Sequence, residues 1–279
     1  MPELPEVETI RRELAGVICG KRVDAADVHG LRSVRRHGDP ADFCSGLIGR
    51  RALYVRRRGK YILVVLDAGN VLVLHLGMSG QLRWVSSSAV QPSRHTHVVV
   101  SFDSGEQLRF ADPRTFGEAF VATSPTSDEK VDALAHLGFD ALEAKVNSET
   151  LAEMLSVRRT SLKPLLMNQR FVAGLGNIYS DEVLFAAKLR YDRRANSLST
   201  DEVRRLRRAI TRVLRQAVAH GGSTLADAQY KDLYGRAGGF QYYHQVYGRE
   251  GEACKRCQTR VSRVRTQGRS SFMCERCQG

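Results

Sequence analysis

The sequence predicts an α+β protein of two domains: a strand-rich N-terminal domain, a sandwich or meander opened by one helix, then a helical region ending in a small four-cysteine module. Three observations predict it. The 279 residues fill about two domains of ordinary size. Local texture changes from short strand-type runs to helical periodicity near residue 150. Charge divides at the same place: residues 1–150 hold 19 basic and 19 acidic side chains, whereas residues 151–279 hold 24 and 11.

Composition removes several function classes. At 42% hydrophobic the chain can bury real cores, which argues against wholesale disorder. The longest apolar run, Ile62 to Leu66, is far below the ~20 residues of a membrane span. Glu3, Glu6, Glu8 and Glu13 are foreign to a secretory signal peptide, so a cytoplasmic location is expected. The excess of +13 lies wholly in the C-terminal half. A one-sided basic field suits a polyanion, because each neutralised phosphate releases counterions. Nucleic acid is the expected partner, with no membrane.

Residues 2–15 (PELPEVETIRRELA) place Val7, Ile10 and Leu14 at i, i+3 and i+7 behind two prolines, an amphipathic helix with proline near its start. Strand-type runs follow at Ala52–Val55, Tyr61–Leu66, Val71–Leu76, His97–Phe102, Gln107–Phe110 and Glu118–Val121, separated by Gly-containing breaks. This is the N-terminal domain, 1–122. Residues 123–149 are rich in Ser, Thr, Asp and Glu and read as a linker. Helices are expected over Thr150–Leu155, Leu162–Met167, Asp181–Lys188 and Thr200–Ala219, with the start of the last marked by Ser199 and acids behind it. A Gly-rich loop, 221–241, closes that domain (150–241), and 242–279 is the terminal module.

Cys254, Cys257, Cys274 and Cys277 form C-x2-C-x16-C-x2-C, inside the spacing window of zinc ribbons. Each C-x2-C places two thiolates on one knuckle, and two knuckles complete a tetrahedron around one structural Zn²⁺. A cytosolic chain disfavours the alternative of two disulfides. Arg260, Arg263, Arg265 and Arg269 lie between the knuckles, as in a basic two-stranded finger. Cys19 and Cys44 stand alone and read as small packing residues.

Met1 precedes Pro2, a context in which the initiator methionine is normally removed to leave a proline amine. An α-amino group has a pKa of ~7.7–8.0 against ~10.4 for lysine, so far more of it is nucleophilic at neutral pH. Such an amine can attack a sugar C1′ and form an iminium, with Glu3 beside it to move protons.

Further motifs accompany this terminus: RRRGKY (56–61), HLGMSGQL (75–82), DPRTFG (112–117), LKPLLMNQRFVAGLGNIYSDE (162–182), GGSTL (221–225), VYGREGEAC (246–254) and GRSSFMCERCQ (268–278). In this order, and over essentially the whole chain, they resemble the bacterial formamidopyrimidine-DNA glycosylases, which also act as 8-oxoguanine glycosylases and abasic-site lyases. The resemblance implies two lobes, a β-sandwich and a helix–two-turn–helix with a zinc finger, that clamp DNA. It also implies base-excision repair: removal of an oxidised purine, then strand cleavage by β,δ-elimination.

By the same resemblance, Pro2 is the Schiff-base nucleophile and Glu3 the general acid/base, with Glu6 supporting that end. Lys60 contacts phosphate and donates a proton in β-elimination; Arg269 binds phosphate and serves δ-elimination. An extruded base leaves a hole in the duplex that apolar wedges must fill. Met78 and Phe116 match the void-filling residues and Arg114 the reader of the orphaned cytosine, where a forked guanidinium suits base-edge acceptors. Asn177 is implied on phosphate with Lys163 nearby, and His75, His95, Arg159 and Tyr247 fall at DNA-contact positions. The implied partner is double-stranded DNA with oxidised bases or abasic sites, bound by a monomer.

Two departures stand out. Thr115 occupies a position where many members carry a second arginine. The stretch 227–241 (DAQYKDLYGRAGGFQ) differs from the family loop that folds over the extruded base. Two other readings follow: a glycosylase of the endonuclease VIII-like branch for oxidised pyrimidines, and a catalytically silent damaged-DNA-binding protein. The Met78/Arg114/Phe116 set favours the purine branch, and the presence of Pro2, Glu3 and Lys60 argues against silence.

Overall fold

The computed structural model describes residues 1–86, 90–123, 131–143, 146–227, 229–266 and 268–279. The chain forms two compact units: Met1–His136 with Gly221–Gly239, and Leu137–His220 with Phe240–Gly279.

The first unit opens with α1 (Leu4–Ile18), capped by reciprocal hydrogen bonds in which Glu3 accepts from the Glu6 amide and Glu6 from the Glu3 amide. Val7, Ile10, Leu14 and Ile18 are buried, as their spacing requires. Then come β1 (Val23–Val28), α2 (Pro40–Ser45), β2 (Ala52–Arg58), β3 (Tyr61–Leu66), β4 (Asn70–His75), β5 (Gln81–Val85), β6 (Thr96–Phe102), β7 (Gln107–Ala111) and β8 (Glu118–Thr123). They make two antiparallel four-stranded sheets, ordered β1-β6-β7-β5 and β2-β3-β4-β8. Ile62, Val64, Leu72 and Leu74 of one sheet share a core with Leu82, Val98, Val100, Leu108 and Phe110 of the other. This is the sandwich. β1 and β5 were not among the expected strands. VDAADV offers little apolar patterning, and only pairing with β6, Val28 opposite Val98, extends it.

The loop after residue 220 requires a correction. Grouped by sequence with the helical domain, Gly221–Gly239 instead packs with the sandwich. Tyr230 and Leu233 enter the sandwich core, and burying one such leucine is worth roughly 2 kcal/mol. The backbone follows: Leu233 O accepts from Trp84 N at 3.1 Å, Gln229 O from Gln81 Nε2 at 2.8 Å, and Glu13 Oε2 from Leu233 N at 3.0 Å.

Of the expected linker 123–149, residues 124–130 and 144–145 lie outside the described residues. The rest is partly ordered into elements: α3 (Asp132–Ala135) and β9 (Phe139–Asp140), the latter pairing in parallel with β10 (Val172–Ala173). The second unit contains α4 (Ser148–Ser156), α5 (Leu162–Met167), α6 (Asn177–Ala187), α7 (Thr200–Ala219) and a hairpin of β11 (Ser262–Thr266) and β12 (Arg269–Met273). Ser199 and Glu202 cap α7 reciprocally, at 3.3 and 2.8 Å. Among the described residues no helix is long and apolar enough to cross a membrane.

Candidate active site and nucleic-acid interface

In the first unit, Pro2, Glu3 and Glu6 are all buried at the start of α1. Glu6 splits its carboxylate: Oε2 accepts from Glu3 N at 2.8 Å and Oε1 from Ser223 N at 2.7 Å. Gly222 is required here. Its φ is +76°, and a Cβ would fall 2.7 Å from Glu6 Oε1. Tyr230 completes the junction by donating its hydroxyl to Gly221 O at 2.9 Å.

Lys60 lies in the turn between β2 and β3 and is only 7% exposed. Arg57 shapes that turn by donating to Gly59 O at 2.9 Å while its Nε pairs with Glu8 Oε2 at 3.2 Å. α1 and the Lys60 turn are thereby tied through Glu8 and Arg57. Burial pushes the Glu8 carboxyl up, but Arg11, Arg12 and Arg57 outweigh it and hold the group below its ordinary range. His75, at the end of β4, packs its ring against Tyr61 with centroids 4.6 Å apart and planes tilted by 39°. Burial, reinforced by the charge of Lys60, lowers its pKa to about 4. The ring is therefore neutral at pH 7, and its Nδ1 accepts from Gly77 N at 3.2 Å.

Met78 and Phe116 are large apolar side chains left 38% and 43% exposed on two turns, β4–β5 and β7–β8. Arg114 lies over the Phe116 ring at 5.0 Å. Both turns are anchored by Asp112, which is fully buried. Its carboxylate accepts from Ser79 Oγ at 2.5 Å, Arg114 N at 3.1 Å and Gly117 N at 2.7 Å. The turns touch so closely that a Cβ on Gly77 would sit 2.5 Å from Gly117 N. Thr115 adopts φ +54°, an uncommon state for a β-branched residue. His95 is half-buried, and its Nε2 accepts from Arg94 Nε at 2.9 Å.

In the second unit, Gln169 builds the turn before α6: its amide oxygen accepts from Gly174 N at 2.9 Å and its amide nitrogen donates to Leu175 O at 2.8 Å. That turn delivers Asn177 to the first position of α6, where the free backbone N–H groups favour an anion. Asn177 Nδ2 donates to Tyr247 Oη at 3.4 Å, and Oδ1 is buried with no hydrogen-bond partner among the described residues. Arg159 is exposed. Arg269, at the start of β12, is exposed and lines a groove of about 450 Å³ with Ser161, Pro164, Met167 and Tyr191.

Lys163 lines the same groove as Arg269, with most of its side chain enclosed. It is 3% exposed, pairs with Asp181 Oδ1 at 2.8 Å and donates to Ser270 O at 2.6 Å. Asp181 Oδ2 in turn accepts from Phe272 N at 3.0 Å. Burial raises the Asp181 carboxyl to about 7 against the pull of Lys163 and that amide. The pair fastens β12 to α5 and α6. Its neighbour Glu182 fastens the approach to the cysteines, accepting from Gln245, Val246 and Tyr247 amides at 2.9–3.0 Å.

The four cysteine sulfurs all lie within 4.8 Å of one another. Cys254 and Cys277 are 4.0 Å apart, Cys257 and Cys274 3.4 Å. These spacings are too long for disulfides, near 2.05 Å, and close to the ~3.8 Å that tetrahedral Zn–S bonds of ~2.3 Å generate. The donor set fits a closed metal site. Phe185, Val246, Val261 and Phe272 pack around it, and Gln278 ties the second knuckle to Leu189 O at 2.8 Å.

The sequence pattern of the formamidopyrimidine-DNA glycosylase N-terminal domain matches residues 1–119, and that of the formamidopyrimidine-DNA glycosylase H2TH domain residues 137–229. The formamidopyrimidine-DNA glycosylase of Herpetosiphon aurantiacus is 41% identical over 280 residues, covering 100% of both chains. This chain belongs to the formamidopyrimidine-DNA glycosylase family. Solved members of that family superpose throughout. The Fpg protein of Thermus thermophilus has a TM-score of 0.88 at 39% identity, covering 99% of this chain and 98% of its own. A Lactococcus lactis Fpg variant in complex with Fapy-dG-containing DNA has a TM-score of 0.90 at 31% identity, covering 99% of each.

For this glycosylase fold, sequence reasoning passed over Glu8, Arg57, Asp112, Gln169, Asp181 and Glu182. Asp112 lies in DPRTFG and Asp181–Glu182 in LKPLLMNQRFVAGLGNIYSDE, where the signal is a carboxylate among apolar residues and glycines, buried only when its oxygens find donors.

Proposed function

We propose that this chain excises oxidised purines, formamidopyrimidines and 8-oxoguanine, from double-stranded DNA and cleaves the abasic strand by β,δ-elimination. The observation that carries the reading is the pairing of Glu8 with Arg57, which holds the Lys60 turn beside the helix that begins at Pro2 and Glu3, in a chain alike over its full length to an Fpg solved with Fapy-dG DNA.

Removal of Met1 frees the Pro2 amine, whose lone pair attacks C1′ as the C1′–base bond breaks. The base departs with the bonding electrons and a proton. The bound nitrogen then gives up its own proton and its lone pair expels O4′, which takes up a proton as the C1′–O4′ bond breaks and the sugar ring opens to the iminium, with Glu3 serving these transfers. Loss of the C2′ proton from the iminium expels the 3′ phosphate, with Lys60 positioned as cation and proton donor. A second elimination expels the 5′ phosphate beside Arg269. Glu6 holds Glu3 and the Gly221–Ser223 turn in register. Met78 and Phe116 fill the vacated stack and Arg114 reads the opposing cytosine. Asn177, Tyr247, Arg159, His75 and His95 contact the DNA backbone, while Lys163 positions the finger from within. One Zn²⁺ on Cys254, Cys257, Cys274 and Cys277 supplies structure and no chemistry. The protein works as a monomer in the cytoplasm.

Single-turnover excision on duplexes with 8-oxoguanine opposite cytosine, set against thymine glycol, tests the reading. Purine release that Glu3→Gln greatly slows is expected. Release of thymine glycol alone would move the protein to the pyrimidine branch; tight binding without release of either would make it a silent binder.

A further inference from the structure

α7 carries Arg204, Arg205, Arg207, Arg208, Arg212 and Arg215, with acids only in its first turn. The first three are engaged: Arg204 with Asp201 at 3.3 Å, Arg205 with Ala187 O at 3.2 Å, Arg207 with Val146 O at 2.7 Å. Arg208, Arg212 and Arg215 are exposed and have no hydrogen-bond or ion-pair partner among the described residues. At i, i+4 and i+7 they fall on one face, about 6 and 4.5 Å apart along the axis. With Arg207, Thr211 and Gln216 they line a shallow surface groove whose own lining holds no carboxylate and no apolar side chain; Arg212 and Gln216 also border an adjoining cleft lined by Glu182, Phe185, Phe240 and Tyr243. It shares no residue with the groove at Arg269.

We propose that this arginine face is a second DNA-backbone surface, able to hold an undamaged duplex while the first site holds the lesion; it rests on the glycosylase reading above. The chemistry favours phosphate over protein. Protein interfaces are built around buried aromatic or aliphatic anchors, and this groove has none. Guanidinium forks in a row, with a hydroxyl and an amide between them, are the donors that phosphate oxygens accept from. A protein with two such surfaces passes from one DNA segment to another without a free intermediate.

The full-length protein bound to an immobilised duplex carrying a stable abasic-site analogue is offered a labelled undamaged duplex. Capture of the second duplex is expected, weakened at least tenfold by Arg208→Gln/Arg212→Gln/Arg215→Gln and retained by the corresponding triple lysine variant. Each lost phosphate contact lowers the salt slope by ~0.9, about 3 for the triple variant. Excision and affinity for the first duplex should not change. No capture, or equal capture by the glutamine variant, overturns the proposal, as does capture of polyglutamate in place of DNA. Failure to bind the first duplex at all would count against the glycosylase reading instead.

Discussion

Asp112 accepts a hydrogen bond from the Ser79 hydroxyl at 2.5 Å, so the turn that displays Met78 and the turn that displays Arg114 and Phe116 hang from one buried carboxylate. Met78, Arg114 and Phe116 thus keep a common frame although 36 to 38 residues separate Met78 from the other two in the chain. Preorganisation of this kind spares the cost of ordering exposed side chains on binding.

Asp112→Ala should leave the Arg114 and Gly117 amides without their acceptor, at about 1–3 kcal/mol each when buried. Denaturant unfolding should register the loss. Excision opposite cytosine should fall more than excision of a lesion placed in single-stranded DNA, where no hole needs filling. Equal losses on both would leave Asp112 as a fold residue only.

Lys163→Met removes the cation that favours an ionised Asp181, so the buried carboxyl takes up a proton and the Ser270 carbonyl loses its donor, at about 1–3 kcal/mol in the second unit, whereas Lys163→Met with Asp181→Leu should recover most of it. Zinc release into a chromogenic chelator would follow the same order, because β12 and the second knuckle share that anchor.

Chelation of the metal, or Cys254→Ser, should unfold the β11–β12 hairpin, since so small a core does not fold alone. Affinity should drop alike for damaged and undamaged duplexes on the proposed role of the finger, which gives it phosphates and not base edges to meet. Filter binding against both would check it. A loss confined to lesion DNA would assign the finger a recognition role instead.

Acid should destabilise the sandwich through His75. The unfolded histidine protonates near pH 6.5, the folded ring only near 4; between these values the unfolded state binds more protons. Stability therefore falls as pH drops from 6.5 towards 4, by at most about 3 kcal/mol from this group. His75→Gln should flatten that part of the stability–pH curve.

Much of this was legible in sequence because the signals are local. The Val7–Ile10–Leu14 stripe predicts α1, Ser199 and Glu202 mark the start of α7, and C-x2-C pairs predict the cysteine cluster. What escaped depends on partners distant in the chain. β1 becomes a strand only beside β6. The loop around Leu233 belongs to the sandwich because Glu13 and Trp84, over a hundred residues earlier, receive it. Lys163 reads in sequence as one more cation beside the DNA, and its pairing with Asp181 and the Ser270 carbonyl shows only in the fold. Asp112 shows its purpose only when two turns meet.

The central claim is that the Pro2 amine carries the chemistry. Borohydride trapping on a duplex with 8-oxoguanine opposite cytosine, followed by mass-spectrometric mapping of the cross-linked peptide, tests it most directly. The account predicts a covalent adduct on Pro2 in protein lacking Met1. An adduct on a lysine such as Lys60, or none in protein with a free proline terminus on either this or an abasic duplex, would contradict it.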